Sequence, residues 1–516
     1  MERVSKDDID VKAIALNSIE LDEITDVART NEGDDREKKT ISGDNTDSTY
    51  GSVTPTVFIN GYHVSPYMNA FSLEMNGFLP VLKFSFIARE TAFLSASYPK
   101  DGDIVSVYIR SLLEYKPLRM DFNILSVSSE ITSRLDPKGI DPVAKSSNLR
   151  FNILAECRIP GLYTHRSKSF SGSNSYETLL EISQELSLGF ATNDSSPGDT
   201  MSWLCPNYSY YDFVREVTES AYKNDNSFYL SFVDCYYNLN FINLGNQFSF
   251  LKDPKYTALV SIGSKGVIVD AKIPGGSNPD ENEYPLMVSN RYKSGEFPFG
   301  INGYILISNS GQKANSTGYI TEIIFYDEGS GSQNPTEKVI SYDIESDTPD
   351  SIDDSMFLQK GRMREEIYRE ERRVEWMGVL NEYSEDNPGV HANYFHAQYQ
   401  NRMNMEDVTK FTLRVELESY FPGIYRGQVL PIEILVINNT DERKNNSGSL
   451  ENLESPRKDE NVVDEFLSGI YVVMGMEIVW DSRGMKQILN LCRRVWKVNT
   501  SGKAQKFSPL PKVGSA

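Results

Sequence analysis

The sequence predicts a β-dominated α+β chain with two related antiparallel β-barrel domains, an α+β domain between them, and a further β-rich domain. Three observations carry this. Short runs that alternate apolar and polar residues occur in two separate blocks, as half-buried strands require. A Pro and Gly turn precedes a strand in a similar way in each block. Two stripes of apolar residues at helical spacing lie between the blocks.

Residues 1–50 form an acidic arm with 14 acidic and 7 basic side chains and one short helix-compatible patch, IALNSIELDEI. Such a composition buries too little apolar surface to order itself. Residues 51–157 carry TVFINGYHV, LKFSFIAR, DIVSVYIRSLL and MDFNILSVSS, divided by Gly, Pro and Asn, and are expected to form the first barrel. Residues 158–250 contain SYETLLEISQELSL and YSYYDFVREVTESAY, each an amphipathic helix, followed by the strand pair in SFYLSFVDCYYNLNFINL. Helices packed on a short sheet make an α+β domain. Residues 251–355 read as an inserted β-rich domain.

Residues 356–500 are expected to hold a charged helix at 356–377, a second helix at 390–404, and the second barrel, with 501–516 as a tail. In that barrel Pro422, Gly427 and Gln428 precede VLPIEILV much as Pro99, Gly102 and Asp103 precede IVSVYIRSLL, a candidate duplication. Residues 438–465 are polar and lie between two strand-like runs, VLPIEILVI and GIYVVMGMEIVW. They read as a long disordered insert in a hairpin, tolerated because closure entropy grows slowly with length.

With 52 basic and 73 acidic residues, the net charge of −21 opposes duplex DNA binding by phosphate neutralisation. The arm contributes −7 and the 438–465 insert −4, leaving −10 for the rest. Cys157, Cys205, Cys235 and Cys492 stand far apart, suggesting neither a zinc site nor a disulfide framework. No basic and apolar leader and no apolar run near membrane-spanning length is present, so no membrane anchor is expected. His391 and His396 lack the i, i+4 spacing of a metal-binding helix, and no nucleophile-elbow, phosphate-loop or dinucleotide motif occurs. The acidic and basic residues of 362–373 alternate at helical spacing and read as a salt-bridged surface. No cofactor, no metal and no catalytic residues are expected.

The segment 203–243, W-L-C-P-N-x-S-Y-Y-D-F-V-R-E-V-x-E-S-A-x-x-x-D-x-x-F-Y-L-S-F-V-D-x-x-Y-N-L-N-F-I-N, resembles the second domain of the baseplate hub protein of T-even-type contractile-tailed bacteriophages. Trp203, Tyr211, Val214, Arg215, Phe228, Asp234 and Asn240 carry the likeness, with Glu216, Val217, Ala221 and Asn243 beside them. The closing run GIYVVMGMEIVWDSRGMKQILNL is similar to that family's last hairpin. The order barrel, α+β domain, barrel is shared with the spike-forming proteins of type VI secretion. The arm, the insert and the section around 261–347 depart from the family pattern.

The resemblance implies a non-enzymatic structural subunit of the virion tail baseplate, assembled in the host cytoplasm. In that family three copies form a ring whose six duplicated barrels meet the hexameric tail tube, while the threefold face receives the trimeric central spike. The implied partners are two further copies, spike and tube proteins and other baseplate proteins, with DNA only passing through the channel. An acidic lumen would keep that path non-adhesive. Trp203 and Tyr211 are expected to anchor the core, and Arg215 to pair with Glu219 or Asp234. Two other readings are a tail-associated peptidoglycan hydrolase with a hidden carboxylate pair and a different tail-tip or secretion-spike component on the same barrel fold.

Overall fold

The computed structural model describes residues 54–88, 98–109, 118–131, 149–249, 372–386, 388–409, 411–418, 420, 424–437, 467, 469–481 and 484–493. It also describes short strands at 260–262, 268–270, 288–289, 300–308, 320–327, 336–343 and 461–463. The arm, most of the 438–465 insert and the 501–516 tail lie outside these residues.

The first block forms β1 (Thr56–Ile59), β2 (Tyr62–His63), β3 (Met68–Met75), β4 (Val81–Ala88), β5 (Ile104–Ile109), β6 (Leu118–Ile131) and β7 (Leu149–Cys157). In β3 the alternation is plain, with Phe71, Leu73 and Met75 buried between more exposed neighbours. Asn60 and Gly61 both take positive φ, 47° and 84°, which closes the β1–β2 hairpin as an Asn-Gly turn does.

The middle block adds β8 (His165–Ser173), α1 (Ser175–Glu185), β9 (Gly189–Thr192), β10 (Met201–Ser209), α2 (Tyr210–Ser220), β11 (Tyr229–Val233), β12 (Asn238–Asn243) and α3 (Leu244–Ser249). Asn174 caps α1 in a reciprocal capping box with Glu177, and Ser209 caps α2 through the Asp212 amide. Strand β9 lies parallel to β12, and β12 antiparallel to β11, so helices and sheet form the expected α+β unit.

The rest comprises β13 (Val260–Ile262), β14 (Ile268–Asp270), β15 (Val288–Ser289), β16 (Ile301–Ser308), β17 (Ile320–Asp327), β18 (Thr336–Asp343), β19 (Arg372–Leu380) and α4 (Tyr394–Val408). The chain ends in β20 (Phe411–Leu417), β21 (Val429–Glu433), β22 (Leu435–Ile437), β23 (Asn461–Val463), β24 (Gly469–Asp481) and β25 (Gly484–Cys492). The helix expected at 356–377 is corrected in part. Residues from Arg372 onward are strand β19, parallel to β17, because Ile323, Phe325 and Leu380 must share one face against Phe395, Tyr399 and Met403 of α4; residues 356–371 lie outside the described set. Strands β22 and β23 pair antiparallel across the start and end of the 438–465 insert, so its ends are held together as in a hairpin.

Where two related barrels were expected, the described strands form one 13-stranded sheet in the order β16-β20-β25-β24-β3-β4-β7-β6-β5-β1-β2, with β21 on β24 and β15 on β21. The sheet has two halves. In the first, β3-β4-β7-β6-β5 are neighbours; in the second, β16-β20-β25-β24-β21 are neighbours, with every pairing antiparallel in both. Strand β16, from the section expected to stand as its own domain, thus completes the second half.

The repetition extends to irregularities. A bulge interrupts β3 between Met68 and Ala70 and β16 between Ile301 and Gly303. Another interrupts β6 between Ile124 and Ser126 and β24 between Val473 and Gly475. Bulges bend a strand at a set place, so matching bulges at matching registers are the mark of a duplicated unit.

Candidate assembly interface

The two halves meet where β3 pairs antiparallel with β24, Phe71 opposite Trp480, Leu73 opposite Ile478 and Met75 opposite Met476. Leu73 and Ile478 are both wholly buried, so the apolar face of the sheet continues across the seam. On the other face Glu74 and Glu477 stand directly opposite. Like charges there would repel, and each is neutralised from its own side. Lys83 bonds Glu74 at 2.5 Å, while Arg414 and the Ser72 hydroxyl bond Glu477 at 3.2 and 2.8 Å.

The duplicated turn flanks this seam. In the first half the Gly102 amide donates to Ile124 O and the Ile124 amide to Asp103 O; in the second, Gly427 donates to Val473 O and Val473 to Gln428 O. The Asp103 side chain accepts from the Lys100 amide at 3.1 Å, and the Gln428 side chain from the Tyr425 amide at 3.1 Å. Gly102 and Gly427 hold φ of 82° and 85°, where a side chain is strained.

At the turn's second residue the copies diverge. Asp101 is exposed, whereas Arg426, in the same place, is buried. Its guanidinium donates to Met474 O at 2.6 Å, to Asn76 O at 3.1 Å and to Gly77 O. It lies 4.5 Å from the centre of the Phe232 ring. Burial lowers its pKa to about 10, so it stays cationic at neutral pH. One side chain thereby joins the bulge of the second half, the β3–β4 turn of the first, and the α+β domain.

The α+β domain clamps the joint further. Gln247 donates to Gly427 O at 2.7 Å, the Val233 amide to Phe78 O at 2.8 Å, and the Asp121 amide to the Tyr237 hydroxyl at 2.7 Å. Helix α4 caps the far end of α2, whose last carbonyls have no partner within the helix. The Asn401 amide nitrogen donates to Thr218 O, Glu219 O and Ala221 O, and its oxygen accepts from the Tyr229 amide. His391 Nε2 lies 2.9 Å from Ser220 O.

Of the signature residues, Trp203 is buried and donates Nε1 to Ser173 O at 3.0 Å. Trp203→Ala is expected to cost roughly 3 to 5 kcal/mol, read as a lower thermal midpoint by circular dichroism; an unchanged melt would contradict the role. Val214 and Phe228 are wholly buried. Tyr211 departs from expectation: it lies half-buried at the edge, stacked on Tyr163 at 5.2 Å and against Phe78 at 5.3 Å. The buried ring is Tyr210, because one residue turns a helical side chain by about 100°. Arg215 pairs with Glu219 at 3.5 Å rather than with Asp234, and both are more than half exposed, so the pair contributes little.

Asp234 and Asn240 meet inside the β11–β12 hairpin. The Asp234 carboxylate accepts from the Tyr236 and Asn238 amides and from the Asn238 and Asn240 side chains at 2.8 to 3.1 Å. Burial raises its pKa, and these donors pull it back. Two buried carboxylates escaped the sequence reading because their segment, TNDSSPGD, has the composition of a plain turn. Asp194 binds Lys223 at 2.6 Å, the Tyr229 hydroxyl at 3.1 Å and Asn243 at 2.9 Å. Asp199 accepts from the Ser175 and Tyr222 amides at 2.9 and 3.0 Å, and burial raises its pKa to about 6. Each ties one segment to another. Among the described residues no group of three or more His, Cys, Asp or Glu could hold a metal, and no helix is long and apolar enough to cross a membrane. All four cysteines are buried and unbridged.

His391, between the rings of Trp203, Tyr222 and Tyr394, is held neutral by burial, its pKa lowered to about 4. A histidine whose folded pKa is lowered contributes stability present above its unfolded value of about 6.5 and lost as pH falls towards 4. The stability of the native protein relative to His391→Phe is therefore expected to fall by about 3 kcal/mol between pH 7 and pH 4. Urea unfolding at a series of pH values tests this, and a flat difference would contradict it.

No known family and no curated protein matches the chain at the sequence level. Among solved structures, the chain is similar to a tail protein from Neisseria meningitidis MC58, with TM-score 0.43, 9% identity, and coverage of 86% of this chain and 98% of that one. It is similar to the 43 kDa tail protein of prophage MuSo2 from Shewanella oneidensis, with TM-score 0.45, 8% identity, and coverage of 86% and 99%. A third is an E. coli component of the type VI secretion system described as structurally similar to T4 bacteriophage tail proteins, with TM-score 0.36, 9% identity, and coverage of 84% and 76%. These three are two tail proteins, one of them from a prophage, and a type VI secretion component.

Proposed function

We propose that the chain is a structural baseplate hub subunit of a contractile tail, a trimeric adapter between a hexameric tube and a trimeric spike around the DNA exit path. The observation that carries this reading is the duplicated five-strand unit, repeated down to its bulges and its glycine turn, and joined edge to edge within one chain. Two like units per chain, in three chains, present six like units to a sixfold mate and three identical chains to a threefold one. The resemblance of 203–243 to the hub family supports the same reading, and of the seven signature residues Trp203, Val214, Phe228, Asp234 and Asn240 serve as internal anchors, while Tyr211 and Arg215 lie at the edge.

The solvent face of the sheet also suits a path for DNA. Its cations at the seam, Lys83, Arg414 and Lys486, are each bonded to a glutamate, Glu74, Glu477 and Glu416. Paired cations hold phosphates weakly. The experiment that tests the proposal is size-exclusion chromatography with light scattering on the full chain. A trimeric mass supports it, and a monomer at every concentration counts against it.

A further inference from the structure

The repeat makes the internal seam a template for a second contact. By their pairing with the equivalent strands β4 and β20, residues 68–75 of β3 correspond to 301–308 of β16. Phe71 and Leu73, covered at the seam, are 1% and 0% exposed. Tyr304 and Leu306, their equivalents, are 39% and 37% exposed, with Ile305 at 62% and Ile307 at 42% beside them. Strand β16 ends the sheet, so among the described residues its outer edge has no strand partner.

The other side of the seam has its equivalent as well. Strand β24 pairs β21 through Val472 and then, beyond the bulge, offers Met476 to Trp480 to β3. Strand β6 pairs β5 through Asn123 and then, beyond the matching bulge, runs on to Ile131 with only β7 beside it among the described residues. Tyr98 adds apolar surface there, its hydroxyl 2.8 Å from Ser129 Oγ and its ring half exposed. Each chain therefore carries both sides of a seam like the one it forms internally. An exposed apolar edge strand is an aggregation hazard unless it is covered, and a head-to-tail contact closes into a ring when its rotation allows.

We infer that β16 of one copy pairs antiparallel with residues 127–131 of a second copy, in the register of the internal seam. Val127 then stands opposite Ser308, Ser128 opposite Ile307, Ser129 opposite Leu306, Glu130 opposite Ile305 and Ile131 opposite Tyr304. The number of copies in the ring rests on the proposed hub reading; the pairing and its register rest on the repeat.

The full chain carrying Ser128→Cys and Ile307→Cys, oxidised mildly and run on a non-reducing gel, tests it. Covalent species ending at the trimer are expected. The control Ser128→Cys with Leu306→Cys is expected to stay uncrosslinked, because a shift of one residue puts the two thiols on opposite faces. A trimer by light scattering that fails to crosslink, or crosslinks equally well in the shifted pair, overturns the pairing and leaves the hub reading standing. A protein that is monomeric by light scattering at every concentration contradicts both.

Discussion

Replacing Arg426 by alanine is expected to cost roughly 3 to 5 kcal/mol, seen as a lower urea midpoint. A buried carbonyl on Met474 and part-buried ones on Asn76 and Gly77 lose their donor at once. A buried carbonyl without a partner costs about 1 to 3 kcal/mol, and the loss of the cation above Phe232 adds about 1 or 2. Partial relaxation and water entry reduce the sum. Arg426→Lys is expected to restore only part, since one ammonium cannot spread over three carbonyls as a planar fork does. The exposed counterpart supplies the control: Asp101→Ala, at the same place in the first turn, should change stability by no more than about 0.5 kcal/mol. Equal effects at the two positions would contradict the clasp.

Asn401→Leu is expected to cost roughly 3 kcal/mol, because it takes their side-chain partner from the amide of Tyr229 and the carbonyls of Glu219 and Ala221, while Thr218 O keeps the Ala221 amide. Asn401→Asp should be worse than leucine at neutral pH, since a carboxylate would then face three carbonyl oxygens in a buried place. It should recover in part on acidification, when the protonated oxygen can donate. Urea unfolding of both variants at pH 7 and pH 5 measures this; an aspartate variant as stable as the leucine variant at pH 7 would show that α4 does not cap α2 in this way.

The elements that were legible in the sequence are those set by neighbouring residues. Alternation marks β4 and β25, whose side chains divide between a wet face and a dry one. The apolar stripe of SYETLLEISQELSL marks α1, and the turn before β5 and β21 is legible through Gly102 and Gly427. The features that escaped are set by distant partners. Arg426 reads as an exposed turn residue because its three acceptors lie 48 to 350 positions away. The charges at 362–373 have helical spacing, yet the last two of them, Arg372 and Arg373, lie in a strand beside β17. Strand β16 reads as part of an insert because 102 residues separate Ser308 from Phe411, the residue it pairs with. In the helix Tyr210 and Tyr211 are adjacent letters, and only the packing of α2 decides which is buried.

The central claim is that this chain supplies two equivalent units to a closed ring. Electron microscopy of the assembled full-length protein tests it most directly. The account predicts a ring of three chains with near-sixfold symmetry in the layer of the duplicated sheets and threefold symmetry elsewhere. A closed twofold dimer, or a ring whose six sheet units are not equivalently spaced, would contradict it.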